Sequence, residues 1–121
     1  GAIAFLEDCK AKGIKIALGS SSKNAPLILN KLNIGHLFNA VVDGNVVNLS
    51  KPDPTVFLTA AQSIGLTPGE CIVFEDAQAG VEAAISGGMK VIGIGDASVL
   101  SDADKVIPNF IGINSTELLL F

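Results

Sequence analysis

Three short polar segments carry the side chains in this sequence that could do chemistry together. The first holds three consecutive hydroxyls, a lysine and an amide: Ser20, Ser21, Ser22, Lys23 and Asn24. The second is Lys51, which directly precedes Pro52, and the third is a pair of adjacent carboxylates, Glu75 and Asp76. Hydroxyl and ammonium donors next to carboxylates form a set that suits phosphate groups and Mg²⁺.

The serine-rich segment is a candidate phosphate-binding loop. It precedes a predicted helix, so its hydroxyls and unpaired backbone N–H groups stand at a helix N-terminus, where the helix dipole favours an anion. Lys23 adds a positive charge. The same residue types also suit an ordinary turn in which one serine caps the helix, and the segment alone does not separate the two interpretations.

Lys51 and the two carboxylates each have a functional and a structural interpretation. A lysine held before Pro52 in a tight turn can place its ammonium over a phosphate, or it can be a solvated loop lysine. Adjacent carboxylates at the end of a buried strand repel each other unless a cation is present, so Glu75 and Asp76 predict an Mg²⁺ site. One of them can instead cap the helix that follows.

The elements that position these segments alternate along the chain. The predicted strands are residues 14–18, 40–42, 71–74, 89–94 and 106–107, and the predicted helices are 2–12, 24–32, 54–64, 77–86 and 116–121. Asp53 is the predicted N-cap of the third helix, with Pro54 as its first residue, and Ser115 caps the last helix. This alternation predicts an α/β fold with a mostly parallel sheet between two helical layers.

Each polar segment follows a strand or lies in a loop at the corresponding end of the sheet. Because ligands bind beyond the carboxyl ends of parallel strands, we expect the three segments to meet at one edge. A phosphate cradle, a charge neutraliser and a metal ligand at one edge are what Mg²⁺-dependent phosphoryl transfer needs.

Composition excludes several classes of protein. The 121 residues are 49% hydrophobic and 17% charged, with a net charge of −4, which argues against a disordered chain. All eight basic residues are Lys, and Arg, Trp and Tyr are absent, so no nucleic-acid partner is expected. No apolar run approaches the roughly 18 residues of a membrane span. Cys9 and Cys71 are predicted to be free thiols of a cytoplasmic protein.

The three segments, in this order, resemble the haloacid dehalogenase superfamily. Residues 16–24 (Ile-Ala-Leu-Gly-Ser-Ser-Ser-Lys-Asn), 50–52 (Ser-Lys-Pro) and 74–80 (Phe-Glu-Asp-Ala-Gln-Ala-Gly) are similar to its second, third and fourth motif regions, and most similar to the β-phosphoglucomutase branch. The resemblance covers residues 3–94 and implies a Rossmann-like form of the three-layer αβα fold.

The resemblance implies a role for each candidate. Ser20 would hydrogen-bond the transferring phosphoryl group, and Lys51 would bridge that phosphate and the nucleophile. Asp76 would bind Mg²⁺ directly, with Glu75 in or beside the metal shell. The non-transferring phosphate of a small phosphorylated sugar would be held by Ser21, Ser22, Lys23 and Asn24.

The family's first motif has no counterpart in the sequence. The resemblance implies an Asp-x-Asp after the first strand, with a nucleophile and an acid/base, whereas Asp102-Ala103-Asp104 lies late in an acidic loop. The helical cap domain is absent too. With Gly1 first and Met89 as the sole methionine, these features predict that residues 1–121 are the C-terminal part of a core domain, about 90–100 residues short of the whole protein.

The missing first strand would be central in this family, between the predicted strands 14–18 and 71–74. Its absence would expose two inner strand edges. We expect the chain to close this gap by rearrangement or to fill it from another chain, through homo-oligomer formation or strand exchange.

These observations predict that the whole protein is an Mg²⁺-dependent phosphosugar mutase acting through an aspartyl-phosphate. The 121-residue chain alone is predicted to be inactive, since the covalent step needs the absent carboxylate nucleophile. One alternative is a phosphatase of a small phosphorylated metabolite, and another is a non-catalytic module that binds phosphate or Mg²⁺. A weaker alternative is an unrelated receiver-like domain.

Overall fold

The computed structural model describes residues 1–116 of the chain. The α-helices are α1 (Ala2–Ala11), α2 (Ala25–Leu32), α3 (Thr55–Ser63) and α4 (Gln78–Ser86), and the strands are β1 (Ala17–Gly19), β2 (Ala40–Val42), β3 (Ile72–Glu75), β4 (Lys90–Ile94) and β5 (Lys105–Ile107). Short 3₁₀ turns lie at Gly35–Leu37 and Pro68–Glu70. The helix predicted over 116–121 lies, beyond its first residue, outside the described residues.

The strands form two separate parallel sheets within the described part of the chain. The two-stranded sheet pairs β1 with β2, in a register that sets Ala17 against Ala40. The three-stranded sheet has the order β3-β4-β5, with Val73 set against Val91. β1 and β3 are therefore both edge strands, and the predicted parallel α/β architecture is confirmed.

Helices cover both faces of the larger sheet, as the side-chain alternation of its strands requires. Val73 and Val91 face a core cluster that includes residues of α3 and α4. Ile72 and Ile92 point the other way, into a cluster with Phe5 of α1. This second cluster also contains a trio of aromatic rings, whose centroids lie 5.0–5.5 Å apart: Phe5, Phe74 and Phe110. The three-layer αβα arrangement follows.

A cavity of ≈ 580 Å³ separates the two sheets, and we call it the inter-sheet cleft. Its walls come from β1 and β3 and from the flanking helices α1 and α3, and most of its lining is apolar. The gap predicted between these two strands is therefore present and open. Closure of the gap by rearrangement, one of the two outcomes expected from the sequence, is not what the structure has.

Two element boundaries differ from the sequence prediction. β1 begins at Ala17 rather than at 14, and just before it the Ile16 backbone N–H donates a hydrogen bond to the Asn39 side-chain oxygen at 2.8 Å. Helix α3 begins at Thr55, with Pro54 rather than Asp53 at the N-cap. Asp53 instead accepts hydrogen bonds from the side chain and the backbone of Thr55, which lower its pKa.

None of the helices within residues 1–116 has the length and apolar character that crossing a membrane requires.

Candidate functional site

The loop that follows β1 and the Lys51 segment meet the end of β3 around a second cavity, of ≈ 590 Å³, which we call the loop pocket. Its lining includes Ser20, Ser21 and Ser22 together with Lys51 and Glu75. The pocket thus unites five of the eight residues singled out in the sequence. Lys23, Asn24 and Asp76 are exposed and are not part of its lining.

The serine loop is shaped by its own hydroxyls. Ser20 donates its backbone N–H to the Val42 carbonyl oxygen at 2.8 Å, which extends the β1–β2 pairing by one bond. The Ser20 hydroxyl accepts a hydrogen bond from the Ser22 N–H, and the Ser22 hydroxyl accepts one from the N–H of Asn24, the N-cap residue of α2. These bonds use the acceptor side of each hydroxyl, and neither O–H donates a hydrogen bond within residues 1–116, so each can donate to a ligand.

A second loop braces the serine loop from behind, and sequence reasoning missed it. Gly44 donates its N–H to the Ser22 carbonyl oxygen at 3.2 Å, and the Asn45 side chain donates to the Lys23 carbonyl oxygen at 3.2 Å. A Cβ atom at position 44 would overlap the Ser21 carbonyl oxygen, so only glycine allows the two loops to lie this close. The Asn/Gly composition of this segment signals a turn but gives no sign of its partner.

Lys51 and Glu75 form an ion pair, with Nζ and Oε2 2.8 Å apart. The Lys51 side chain is 19% exposed and that of Glu75 is 9% exposed, so the pair is largely shielded from water. The Lys51 ammonium also lies 4.7 Å from the centre of the Phe57 ring, within the range of a cation–π contact. Lys51 is therefore a fixed positive charge at the pocket, and the interpretation as a solvated loop lysine is wrong.

The two adjacent carboxylates have different surroundings. The Oε1 atom of Glu75 accepts hydrogen bonds from the backbone N–H groups of Asp76 and Ala77, so both of its oxygens have partners. Asp76 is exposed, and its carboxylate has no hydrogen-bond partner within residues 1–116. Glu75 is thus committed to Lys51 and to the start of α4, while Asp76 is available to a cation.

The described residues supply only part of a metal site. In residues 1–116 no cluster of three or more His, Cys, Asp and Glu side chains is arranged to hold a metal ion. Mg²⁺ commonly takes one or two carboxylates and fills its remaining positions with water and phosphate oxygens. The free carboxylate of Asp76, adjacent in sequence to the pocket residue Glu75, fits that requirement as one ligand.

The Asp102-Ala103-Asp104 motif has a structural role. Asp104 accepts a hydrogen bond from the Val91 N–H at 2.8 Å, and Asp102 accepts one from the Gln78 side chain at 2.6 Å. Both carboxylates hold backbone or side-chain donors of neighbouring elements and neither lines the loop pocket.

Cys9 and Cys71 are free thiols, as the sequence predicts.

Comparison with known proteins adds independent findings. A family model described as haloacid dehalogenase-like hydrolase matches residues 1–88. The chain is 45% identical over 98 residues to "Beta-phosphoglucomutase" of Bacillus subtilis (81% of this chain, 43% of that protein). It is 40% identical over 79 residues to "Fructose-1-phosphate phosphatase" of Escherichia coli (65% and 42%).

The fold has a similarly close counterpart among solved structures. The crystal structure of β-phosphoglucomutase from Clostridium difficile superposes with a TM-score of 0.94 at 34% identity, over 99% of this chain and 54% of that one. The chain therefore spans about half the length of the proteins that it resembles.

Proposed function

The chain belongs to the haloacid dehalogenase-like hydrolases, and from that premise we propose that the whole protein is an Mg²⁺-dependent phosphosugar mutase of the β-phosphoglucomutase type. The observation that carries the proposal is the loop pocket, which the three serines line together with Lys51, whose ammonium is held by Glu75. Preorganised donors of this kind stabilise the charge that develops on a transferring phosphoryl group.

Each candidate residue has a role in the proposed reaction. Ser20, whose hydroxyl keeps its O–H free, donates to an oxygen of the transferring phosphoryl group. Lys51 neutralises that group and the nucleophile beside it. Asp76 holds Mg²⁺, which supplies further neutralisation of phosphate charge when bound. Glu75 would lie in or beside the metal shell, and its carboxylate holds Lys51.

The second phosphate of the sugar is assigned to the exposed part of the serine loop. The hydroxyls of Ser21 and Ser22 line the pocket, and Lys23 and Asn24 follow at the start of α2. Backbone N–H groups at a helix start favour an anion, and Lys23 adds its charge. A small phosphorylated sugar is the partner that this loop suits.

The nucleophile is assigned to the part of the protein outside these 121 residues. A strand placed in the inter-sheet cleft would lie between the free edges of β1 and β3. Glu75 lines both this cleft and the loop pocket, so the carboxyl end of such a strand would open into the pocket. The proposed reaction proceeds through an aspartyl-phosphate on that strand, and residues 1–121 alone are inactive.

A sugar-phosphate phosphatase is the second candidate. It is favoured by the 40% identity to the E. coli protein named as a fructose-1-phosphate phosphatase. The pocket serves both reactions, because transfer to water or to a second sugar hydroxyl uses the same phosphate-binding groups. The free thiols are consistent with a cytoplasmic enzyme in either case.

The test is an assay of the whole protein with β-glucose 1-phosphate and Mg²⁺. A mutase yields the 6-phosphate isomer, whereas a phosphatase releases inorganic phosphate. Asp76→Asn is expected to lower kcat/KM at least 100-fold, and Glu7→Gln, an exposed change on α1, to leave it unchanged. Full activity of the Asp76→Asn protein, or turnover by residues 1–121 alone, would contradict the proposal.

A further inference from the structure

Gly80 lies in the first turn of α4, is buried, and faces the Glu75 side chain. A Cβ atom built at this position would overlap the Cγ, Cδ and Oε2 atoms of Glu75. The glycine is not explained by backbone conformation, because its φ angle is not positive. Glycine also costs helix stability relative to alanine. What the glycine provides at this position is therefore room for another side chain beside its Cα atom.

The Glu75 carboxylate fills that space and is held there by three donors. Two are the backbone N–H groups of Asp76 and Ala77, at 3.1 and 3.2 Å from Oε1. The third is the Lys51 ammonium, at 2.8 Å from Oε2. The side chain of Glu75 thus folds back against the start of α4, and its position determines where the Lys51 ammonium lies.

A second contact fixes the ammonium from another direction. The Phe57 ring lies under Lys51 at 4.7 Å, and the same ring packs against Gly19 at the end of β1. A Cβ atom at position 19 would lie 3.1 Å from the Phe57 ring. Lys51 is therefore placed by a carboxylate and a ring, each of which occupies room left by a glycine.

We propose that Gly80 is a positioning residue: its missing side chain admits the Glu75 carboxylate, which in turn sets the Lys51 ammonium in the loop pocket. The arrangement itself concerns only the described residues. Its consequence for phosphoryl transfer rests on the proposed function, in which Lys51 neutralises the phosphate. Any side chain at position 80 would displace Glu75 and release Lys51, even though the helix itself would accept alanine.

A double-mutant cycle on the whole protein tests this coupling without requiring turnover. The variants are Gly80→Ala, Glu75→Ala and the two combined, with urea unfolding as the measurement. Gly80→Ala alone is expected to lower the folded-to-unfolded ratio at least tenfold. In the Glu75→Ala background the overlapping atoms are gone, so the same change is expected to be neutral or to raise the ratio up to about fivefold, through helix propensity.

The second readout follows Lys51 directly. Acetylation of Lys51, measured by mass spectrometry under native conditions, is expected to be at least threefold faster in Gly80→Ala than in the unmodified protein. Gly69→Ala is the matched control, because a Cβ atom there meets nothing within 4 Å. An equal cost of Gly80→Ala in both backgrounds, or unchanged Lys51 acetylation, would overturn the proposal. A protein without phosphosugar activity that still shows both effects would refute the proposed function alone.

Discussion

The two sheets differ in how completely their strands are buried. In the three-stranded sheet, Val91 and Ile92 of β4 have no exposed surface. In the two-stranded sheet, every residue of β1 is only partly buried, and Val42 is the one buried residue of β2. The larger sheet has helices on both faces, whereas the smaller sheet packs mainly against α3.

The candidate site is divided between two halves of the fold: the half built on the well-buried three-stranded sheet and the half built on the less buried two-stranded sheet. Glu75 and Asp76 follow β3 of the larger sheet, and the serine loop follows β1 of the smaller one. Both sheets turn a free strand edge to the inter-sheet cleft. The Glu75–Asp76 side of the candidate site is therefore supported by its own core, while the serine loop follows a strand that is only partly buried.

The largest expected effect comes from removing core volume in each half of this chain. Ile92→Ala is expected to lower the free energy of unfolding by about 2–5 kcal/mol, because it leaves a cavity in a fully buried strand. Leu18→Ala, at a half-buried position of β1, is expected to cost less than about 2 kcal/mol. Urea unfolding of both variants measures the difference. Equal costs would mean that the two sheets are equally complete.

The next effect concerns the ion pair that joins the two halves. Lys51 lies in the segment between β2 and α3, and Glu75 ends β3, so the pair ties one half to the other. Lys51→Ala leaves the Glu75 carboxylate, which is 9% exposed, without its cationic partner. The change is expected to lower the free energy of unfolding by about 1–3 kcal/mol. Thermal or urea unfolding provides the measurement.

The matched control is the exposed pair between Lys12 and Asp8, whose side chains are 38% and 34% exposed. Lys12→Ala is expected to cost at most about 1 kcal/mol, since solvent screens such pairs. If Lys12→Ala lowered the free energy of unfolding as much as Lys51→Ala does, the Lys51–Glu75 pair would be worth no more than an exposed surface pair.

The smallest effect is the contribution of one carboxyl, Asp8, to the pH dependence of stability. Hydrogen bonds from the backbone and side chain of Ser115 hold the pKa of Asp8 below its usual value of 3.8. A carboxyl whose pKa is lowered by folding stabilises the folded state at pH values above its ordinary pKa. This stabilisation is lost as the pH falls through the pKa of the folded state. Stability should therefore decline below about pH 4, and Asp8→Asn should flatten that decline. Parallel acid titrations of the two proteins would reveal a shared slope if Asp8 has no such role.

Much of the fold could be predicted from local sequence signals. Apolar runs located all five strands to within a few residues, and Gly13, with its positive φ, ends the first helical segment as expected. The predicted convergence of the serine loop, Lys51 and Glu75 on one edge agrees with the loop pocket. These features follow from periodicity and from the topology of parallel sheets.

The remainder depends on contacts between residues distant in sequence. The Asn39 side chain accepts a hydrogen bond from the Ile16 N–H across 23 positions, and nothing local distinguishes Asn39 from other loop amides. The brace from Gly44 to the serine loop, and the fit of Glu75 against Gly80, appear only when two elements are placed side by side. A sequence reveals that a glycine is present but not which neighbour occupies the room it leaves.

Both free thiols lie on the walls of the inter-sheet cleft, Cys9 on α1 and Cys71 just before β3. Burial raises the pKa of each thiol, which lowers its thiolate fraction and so slows its expected reaction with alkylating reagents and oxidants. A strand entering the cleft would slow these reactions further, and a loosened cleft would expose the thiols. The alkylation rates of Cys9 and Cys71, measured by mass spectrometry, would therefore report whether the inter-sheet cleft is filled.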